Sequence, residues 1–277
     1  MVLAFMAMLS LKNKKDYLLA GIYTGLAASA KYQFILLIFP ALVAHFIPEP
    51  SEEKKSWGSR LLHPGPPIML LAVFIAFFAT SPYIVLNLKV MLADVFSAAS
   101  VQVDLLAKYG FESSFQYHYQ LSFLQGIGLP LMIAAALGIL QSLARPKKAD
   151  IVLLSFTVIY YLSITLGESV YMRYAMPLLF PLLVFSAKFA DSCIGAVDSL
   201  SLPKPGKAVF TALLLAALLY LPARKVFSYN SLLAEKDNRV VAAEWIEANI
   251  PGGSRLAFAA LWWPEFPTLR ESKQSLA

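Results

Sequence analysis

Long uncharged stretches alternate with short charged ones along most of the chain. The four longest uncharged runs are Ile68 to Leu86, Leu121 to Leu143, Ile151 to Gly167 and Ala208 to Ala223. At the helical rise per residue, runs of this length measure roughly 24–35 Å, which is close to the thickness of the hydrocarbon core of a bilayer. The pattern therefore predicts that each run is a membrane-spanning helix.

Three shorter apolar runs bring the expected number of membrane helices to about seven, two of them short. Tyr174 to Ala187 reaches membrane length when it is extended through Lys188, whose ammonium group can snorkel to the interface. Tyr17 to Ala30 and Tyr32 to Pro48 are separated by a single charge, Lys31. These two runs are predicted to form either a hairpin of two short helices or one long helix with a buried lysine.

The C-terminal tail is more polar and has a different periodicity. In the stretch DNRVVAAEWIEAN (237–249), Asp237 is a typical N-cap residue, and Val241 and Trp245 recur at helical spacing. This pattern predicts an amphipathic soluble helix. The following PGGS (251–254) predicts a turn.

The predicted fold class is an all-α polytopic membrane protein followed by the start of a soluble external α/β domain. Residues 1–223 form the membrane domain, with an external loop at 87–120, and residues 224–277 begin the second domain. The α/β character of the second domain depends on RLAFAA (255–260), which has the composition of a strand.

Basic residues give the predicted helices an orientation. They cluster in four stretches: KNKKD (12–16), the segment with Lys54, Lys55 and Arg60, RPKK (145–148) and the segment with Lys204 and Lys207. Short cytoplasmic loops of membrane proteins carry an excess of Lys and Arg. We therefore expect these stretches in the cytoplasm, with loops 87–120 and 168–173 and the C-terminal tail on the extracytoplasmic face of a plasma membrane.

Composition supports a membrane protein and excludes several other classes. Charged residues make up 14% of the chain, whereas soluble proteins have about 25%. The net charge is +6, but the cations lie between apolar runs and not on one soluble face, so no nucleic-acid partner is expected. Cys193 is the single cysteine, and His45, His63 and His118 lack the spacing of metal ligands, so neither a disulfide nor a metal site is predicted.

Five stretches occur in a recognisable order: AGIYTGLAASAKY (20–32), ATSPYIVLNLKVMLADV (79–95), KYGFESSFQYHYQLSFLQGIGLPLMIAAALGIL (108–140), VYMRYAMPLLFPLL (170–183) and DNRVVAAEWIEANIPGGSRLA (237–257). Together they resemble the membrane glycosyltransferases of the C-type fold that take a sugar from a polyprenyl-phosphate carrier. This is the family of the protein mannosyltransferases and of the aminoarabinose transferase that acts on lipid A.

The resemblance implies transfer of a sugar from a polyprenyl-phosphate donor to a lipid, glycan or protein acceptor, with the lipid-linked sugar as co-substrate and no other cofactor. It leaves a divalent metal open. The catalytic acid of that family lies in the first external loop, and no Asp or Glu here corresponds to it. The chain is therefore expected to be a piece of a longer protein, extending before Met1 and after Ala277. The alternative is a non-catalytic multi-pass membrane protein or a lipid or solute transporter.

Two cations are the candidate contacts to the donor phosphate. Lys31 lies between two apolar runs, where a charge commonly has a function, although it can also be a snorkelling lysine. Arg173 lies in the Arg-Tyr-x-x-Pro motif, and its planar guanidinium suits phosphate. The alternative for Arg173 is an interfacial ion pair with Glu168.

The predicted external loops hold acidic and aromatic residues that suit a sugar-binding surface. Residues expected to line the substrate cavity are Asp94, Glu112, Tyr117, His118, Glu168 and Tyr171. The competing interpretation is that the Tyr and His side chains only anchor helix ends at the membrane interface.

Overall fold

The computed structural model describes residues 1–47, 57–93, 106, 110–166, 170–201 and 203–256. These residues are almost entirely helical, and no strand occurs among them. The chain divides into two compact units, Met1–Leu219 and Tyr220–Ala277.

The helices of the first half of the chain are α1 (Val2–Leu9), α2 (Lys14–Ala30), α3 (Ile38–Phe46), α4 (Trp57–Leu61), α5 (Gly65–Thr80) and α6 (Pro82–Leu86). The second half contains α7 (Ser114–Tyr117), a π-helix (His118–Gln125), α8 (Leu129–Ala144), α9 (Lys148–Thr165), α10 (Met176–Asp198), α11 (Lys204–Ala234) and α12 (Asn238–Asn249). Two 3₁₀ segments, Tyr32–Leu37 and Met172–Tyr174, precede α3 and α10.

Four helical segments are long and apolar enough to cross a membrane: Gly58–Thr80, Lys148–Thr165, Met176–Asp198 and Lys204–Asn249. A fifth candidate is the bent pair Ser114–Gln125 and Leu129–Ala144, whose two arms meet at 111°. The described residues thus hold four or five candidate spans by length and composition, fewer than the seven predicted.

The difference has local physical causes. The run from Leu121 to Leu143 is not one straight helix, because Gly128 adopts φ +89° and breaks it. The helix α2 has 17 residues and begins with the charged Lys14, Lys15 and Asp16, so its uncharged part, Tyr17 to Ala30, is too short to cross a membrane as a straight helix.

The hairpin predicted around Lys31 is confirmed, and the single long helix is wrong. Lys31 has extended backbone angles and ends α2. At the other end of the hairpin, the Tyr17 hydroxyl lies 2.6 Å from Nδ1 of His45, so the start of α2 meets the end of α3. Asn13 caps α2 by accepting the backbone N–H groups of Lys15 and Asp16.

Small residues let two helix pairs touch at the backbone. Gly21 and Gly25 of α2 lie against the backbone of Met69 and Val73 of α5, leaving no room for a Cβ atom at either glycine. Small residues four positions apart are typical of closely packed membrane helices. Gly138 likewise brings α8 against the backbone of α10.

An ion pair joins three helices in the same unit. The Lys188 ammonium of α10 lies 2.7 Å from Oδ2 of Asp150 of α9 and donates to Oγ of Ser142 of α8 at 2.8 Å. Asp150 also accepts the backbone N–H of Lys147 at 3.0 Å. Lys188 therefore does more than snorkel to the interface, because its ammonium group forms an ion pair with Asp150.

The second unit confirms the predicted tail helix. Asp237 caps α12 by accepting the backbone N–H of Arg239 at 2.8 Å. A turn follows, in which Gly253 has φ +81°. Arg255 and Leu256 have no regular structure, and the rest of the predicted strand lies outside the described residues. The described part of the tail thus gives no support to an α/β domain.

Candidate anion-binding site

The fold brings the two predicted phosphate contacts together across 142 positions of sequence. Lys31 Nζ donates to the backbone carbonyl of Arg173 at 3.3 Å. Lys31 lies at the tip of the α2–α3 hairpin, and Arg173 lies in the 3₁₀ segment that leads into α10. The side of the membrane to which this end of the unit belongs stays a prediction.

Two hydrogen bonds fix the hairpin tip. Ser29 Oγ lies 2.9 Å from Ser81 Oγ, which connects the end of α2 to the end of α5. The Tyr160 hydroxyl of α9 donates to Gln33 Oε1 at 2.9 Å. The position of Lys31 is therefore held by contacts on both sides of it in the sequence.

Tyrosine rings lie beside both cations. The Arg173 guanidinium carbon lies 4.4 Å from the centroid of Tyr171 and 5.8 Å from that of Tyr174. Lys31 Nζ lies 5.5 Å from the same Tyr174 ring. Ring faces attract cations, so the tyrosines orient both side chains without neutralising either charge.

Neither cation has an acidic partner in the part of the chain that the structure describes: no carboxylate there forms a salt bridge with Lys31 or Arg173. Burial and the neighbouring Arg173 charge, in that order, lower the pKa of Lys31, which lies in the turn between the two hairpin arms. Two like charges held close together favour an anion between or beside them.

A cavity of about 260 Å³ adjoins Arg173. Its lining is Ser122, Met172, Arg173, Ala175, Met176 and Leu179. Ala175 and Met176 form the start of the 23-residue helix α10. Because a helix N-terminus carries partial positive charge, the start of α10 adds to the potential from Arg173.

A second cavity, of about 300 Å³, is almost entirely apolar. Its lining includes Phe115, Tyr119, Phe123, Val158 and Leu178. We call it the apolar groove. Phe123 follows Ser122, and Leu178 precedes Leu179, so the groove and the cavity at Arg173 follow the same two helical segments.

The predicted site residues are placed in different ways. Tyr171 lies against Arg173, as described above. Tyr117 and His118 are buried, and Nδ1 of His118 lies 3.0 Å from Oγ of Ser122. Glu112 is exposed and lines neither cavity.

Two predicted site residues, Asp94 and Glu168, lie outside the described residues. The alternative interpretation of Arg173 as the partner of Glu168 therefore stays open. Among the described residues, no group of three or more His, Cys, Asp or Glu side chains is placed to hold a metal ion.

Sequence reasoning missed Ser122 and Tyr174. A serine within a predicted apolar span is not distinctive, and its only signal was a spacing of four residues from His118. Tyr174 could not be recognised as a shared neighbour of both cations before the fold brought Lys31 to it.

Comparison with protein-family models, curated protein sequences and solved structures finds no match to the chain. The function that the order of the motifs implies therefore stays a prediction.

Proposed function

We propose that this chain forms the donor-binding part of a membrane glycosyltransferase that takes a sugar from a polyprenyl-phosphate carrier. One observation carries the proposal: Lys31 contacts Arg173 without an acidic partner in the described residues, beside a cavity of about 260 Å³. The apolar groove is lined by residues of the same two helical segments.

Each part of such a donor has a matching feature. The phosphate suits Arg173 and Lys31, since charge-assisted hydrogen bonds to phosphate are strong. The isoprenoid tail suits the apolar groove, whose lining is almost free of polar surface. Because the phosphate is also the leaving group, fixed cations stabilise the charge that develops as the glycosidic bond breaks.

We also propose roles for the two predicted domains and for the acceptor. Residues 1–223 form the membrane domain in a plasma membrane, and residues 224–277 begin an extracytoplasmic α/β domain. The acceptor is a lipid, a glycan or a protein. Asp94 and Glu168, which lie outside the described residues, are the acidic residues proposed to contact the substrate, whereas Glu112 lines neither cavity.

Lipid binding by the purified chain tests the proposal. Native mass spectrometry in detergent compares a polyprenyl monophosphate with the matching polyprenol, which lacks the phosphate. Arg173→Ala is expected to reduce binding of the phosphate roughly tenfold or more and to leave polyprenol binding unchanged. Arg224→Ala is the matched control, because it removes the same charge from an exposed position in the other unit. Equal binding of both lipids by the unsubstituted chain contradicts the proposal.

The alternative is a transporter or non-catalytic subunit that holds the same lipid. It is favoured by the lack of a carboxylate beside the cation pair in the described residues, and by the broken helix at Gly128, since discontinuous helices are common in transporters. The DNA upstream of Met1 distinguishes the two functions. A further apolar helix followed by a loop with adjacent acidic residues supports the transferase, and a stop codon directly upstream supports the alternative.

A further inference from the structure

Ser122 and His118 form a buried pair beside the cavity at Arg173. Ser122 lines the cavity that contains Arg173. Its Oγ lies 3.0 Å from Nδ1 of His118, and the exposed fractions of the two residues are 7% and 0%. Both lie in the π-helix, a rare structure that is frequent at functional sites.

The hydroxyl of Ser122 differs from other hydroxyls in this unit. Ser142, Thr157 and Ser186 each donate to a backbone carbonyl four residues earlier in their helices. This is the usual solution for a hydroxyl in an apolar helix. In the described part of the chain, the only hydrogen-bond partner of Ser122 is His118.

The position of the proton between Ser122 and His118 determines whether the Ser122 hydroxyl can donate a hydrogen bond into the cavity. If Ser122 donates to Nδ1, the ring proton is on Nε2, which is buried and has no partner. If Nδ1 carries the proton and donates to Ser122 Oγ, the hydroxyl proton is free to point into the cavity. Buried donors without partners are rarer than buried acceptors without partners, so the second arrangement is favoured.

We propose that the Ser122 hydroxyl donates a hydrogen bond to the anionic group held by Arg173, and that His118 positions it. The inference rests on the proposed function and deepens it. The ligand group is the phosphate of a polyprenyl phosphate. His118 is a positioning residue, because it acts through Ser122 and not on the ligand.

Substitutions at Ser122 test the donor. Ser122→Ala is expected to reduce binding of a polyprenyl monophosphate roughly tenfold in native mass spectrometry, with binding of the polyprenol unchanged. Ser122→Thr keeps the hydroxyl and is expected to bind as the unsubstituted chain does. The ratio of the two lipids bound is the readout, because it does not depend on the amount of folded protein.

Substitutions at His118 test the positioning role. His118→Asn places an amide nitrogen near the position of Nδ1 and is expected to keep phosphate binding. His118→Gln places its amide near the position of Nε2 and is expected to lose binding as Ser122→Ala does. Equal ratios for the Asn and Gln variants overturn the positioning role.

The outcomes separate the two proposals. Loss of phosphate binding in Arg173→Ala, with normal binding in Ser122→Ala, overturns this inference and leaves the proposed function standing. Normal binding in both variants overturns both.

Discussion

Two lysines in the first unit lie among apolar helices, and their surroundings differ. Lys188 contacts Asp150 at 2.7 Å and Ser142 at 2.8 Å, and it joins three helices. Among the described residues, Lys31 contacts the backbone carbonyl of Arg173 and the ring of Tyr174, and the nearby charge that acts on it is the positive charge of Arg173. The first arrangement is complete within the protein, whereas the second has no acidic partner among the described residues, as expected of a site that binds an anion.

We therefore expect Lys188 to be a structural cation and Lys31 to be a ligand-binding cation. The two sites are far apart, because Lys188 lies 12 residues beyond the start of α10, which is about 18 Å along the helix axis. A neutralised pair stabilises the fold, and removal of one member leaves an uncompensated charge. Two like charges held close together do not stabilise the fold, but they favour the binding of an anionic ligand.

The largest expected effect is at the Asp150 site. Asp150→Leu leaves Lys188 without its partner, and we expect the free energy of unfolding to fall by about 2–3 kcal/mol. This value is below that of a fully buried pair because the Lys188 side chain is 28% exposed. Thermal unfolding in detergent measures the effect, and binding of a polyprenyl phosphate by the folded fraction is expected to stay normal.

The double variant Asp150→Leu with Lys188→Met is the control for this prediction. It removes both charges and keeps apolar volume, so most of the lost stability is expected to return. A double variant as unstable as Asp150→Leu alone would show that the ion pair is not the source of the effect.

The second prediction concerns a carboxylate introduced beside Arg173. Tyr171→Glu places a carboxylate beside the Arg173 guanidinium, which now lies 4.4 Å from the Tyr171 ring. We expect binding of a polyprenyl phosphate to fall about tenfold, because the new carboxylate competes for Arg173. Tyr171→Gln has nearly the same side-chain length as the Glu variant and no charge. Equal losses in the two variants would mean that the ring, and not the charge balance, determines binding.

The smallest expected effect concerns stability at Lys31. Lys31→Met is expected to leave thermal stability unchanged or slightly raised, since it removes a repulsion from Arg173, whereas Lys188→Met is expected to lower stability by leaving Asp150 unpaired. A clear loss of stability in Lys31→Met would show that Lys31 is structural and would remove the contrast between the two lysines.

The lowered pKa of Lys31 predicts the direction in which the stability of the chain changes with pH. Its pKa in the folded protein is lowered from the ordinary value of 10.5, so the unfolded chain binds more protons between the two values. Stability of the unsubstituted chain therefore rises with pH across this interval. Lys31→Met is expected to lack this rise, and melting curves from neutral pH to about pH 10 compare the two proteins.

Local patterns predicted the helices and gave a break at Lys31 as one of two possibilities, because both depend on neighbouring residues. The uncharged runs correspond to α5, α9, α10 and α11, and the N-cap type of Asp237 marked α12 correctly. More spans were predicted than the described residues hold, in part because run length does not show that Gly128 turns the chain.

The site was predicted only in part, for a different reason. Lys31 was identifiable as a charge between apolar runs and Arg173 as part of the Arg-Tyr-x-x-Pro motif, but their contact depends on how the hairpin packs beside α9. The partner of Lys188 was missed because Asp150 is 38 positions away, at the start of another helix. Ser122 was missed because its importance depends on His118 and on the cavity together.

The position of the apolar groove determines which measure of concentration applies to the proposed ligand. Residues along it are exposed at the flank of the helices: Tyr119 is 47% exposed, Val158 57% and Leu162 47%. We expect this flank to face lipid in a bilayer, so the proposed tailed ligand would reach the groove by diffusion within the membrane. The quantity that governs occupancy is then the mole fraction of the ligand among the lipids, and adding detergent or lipid dilutes it even when the volume of water is constant.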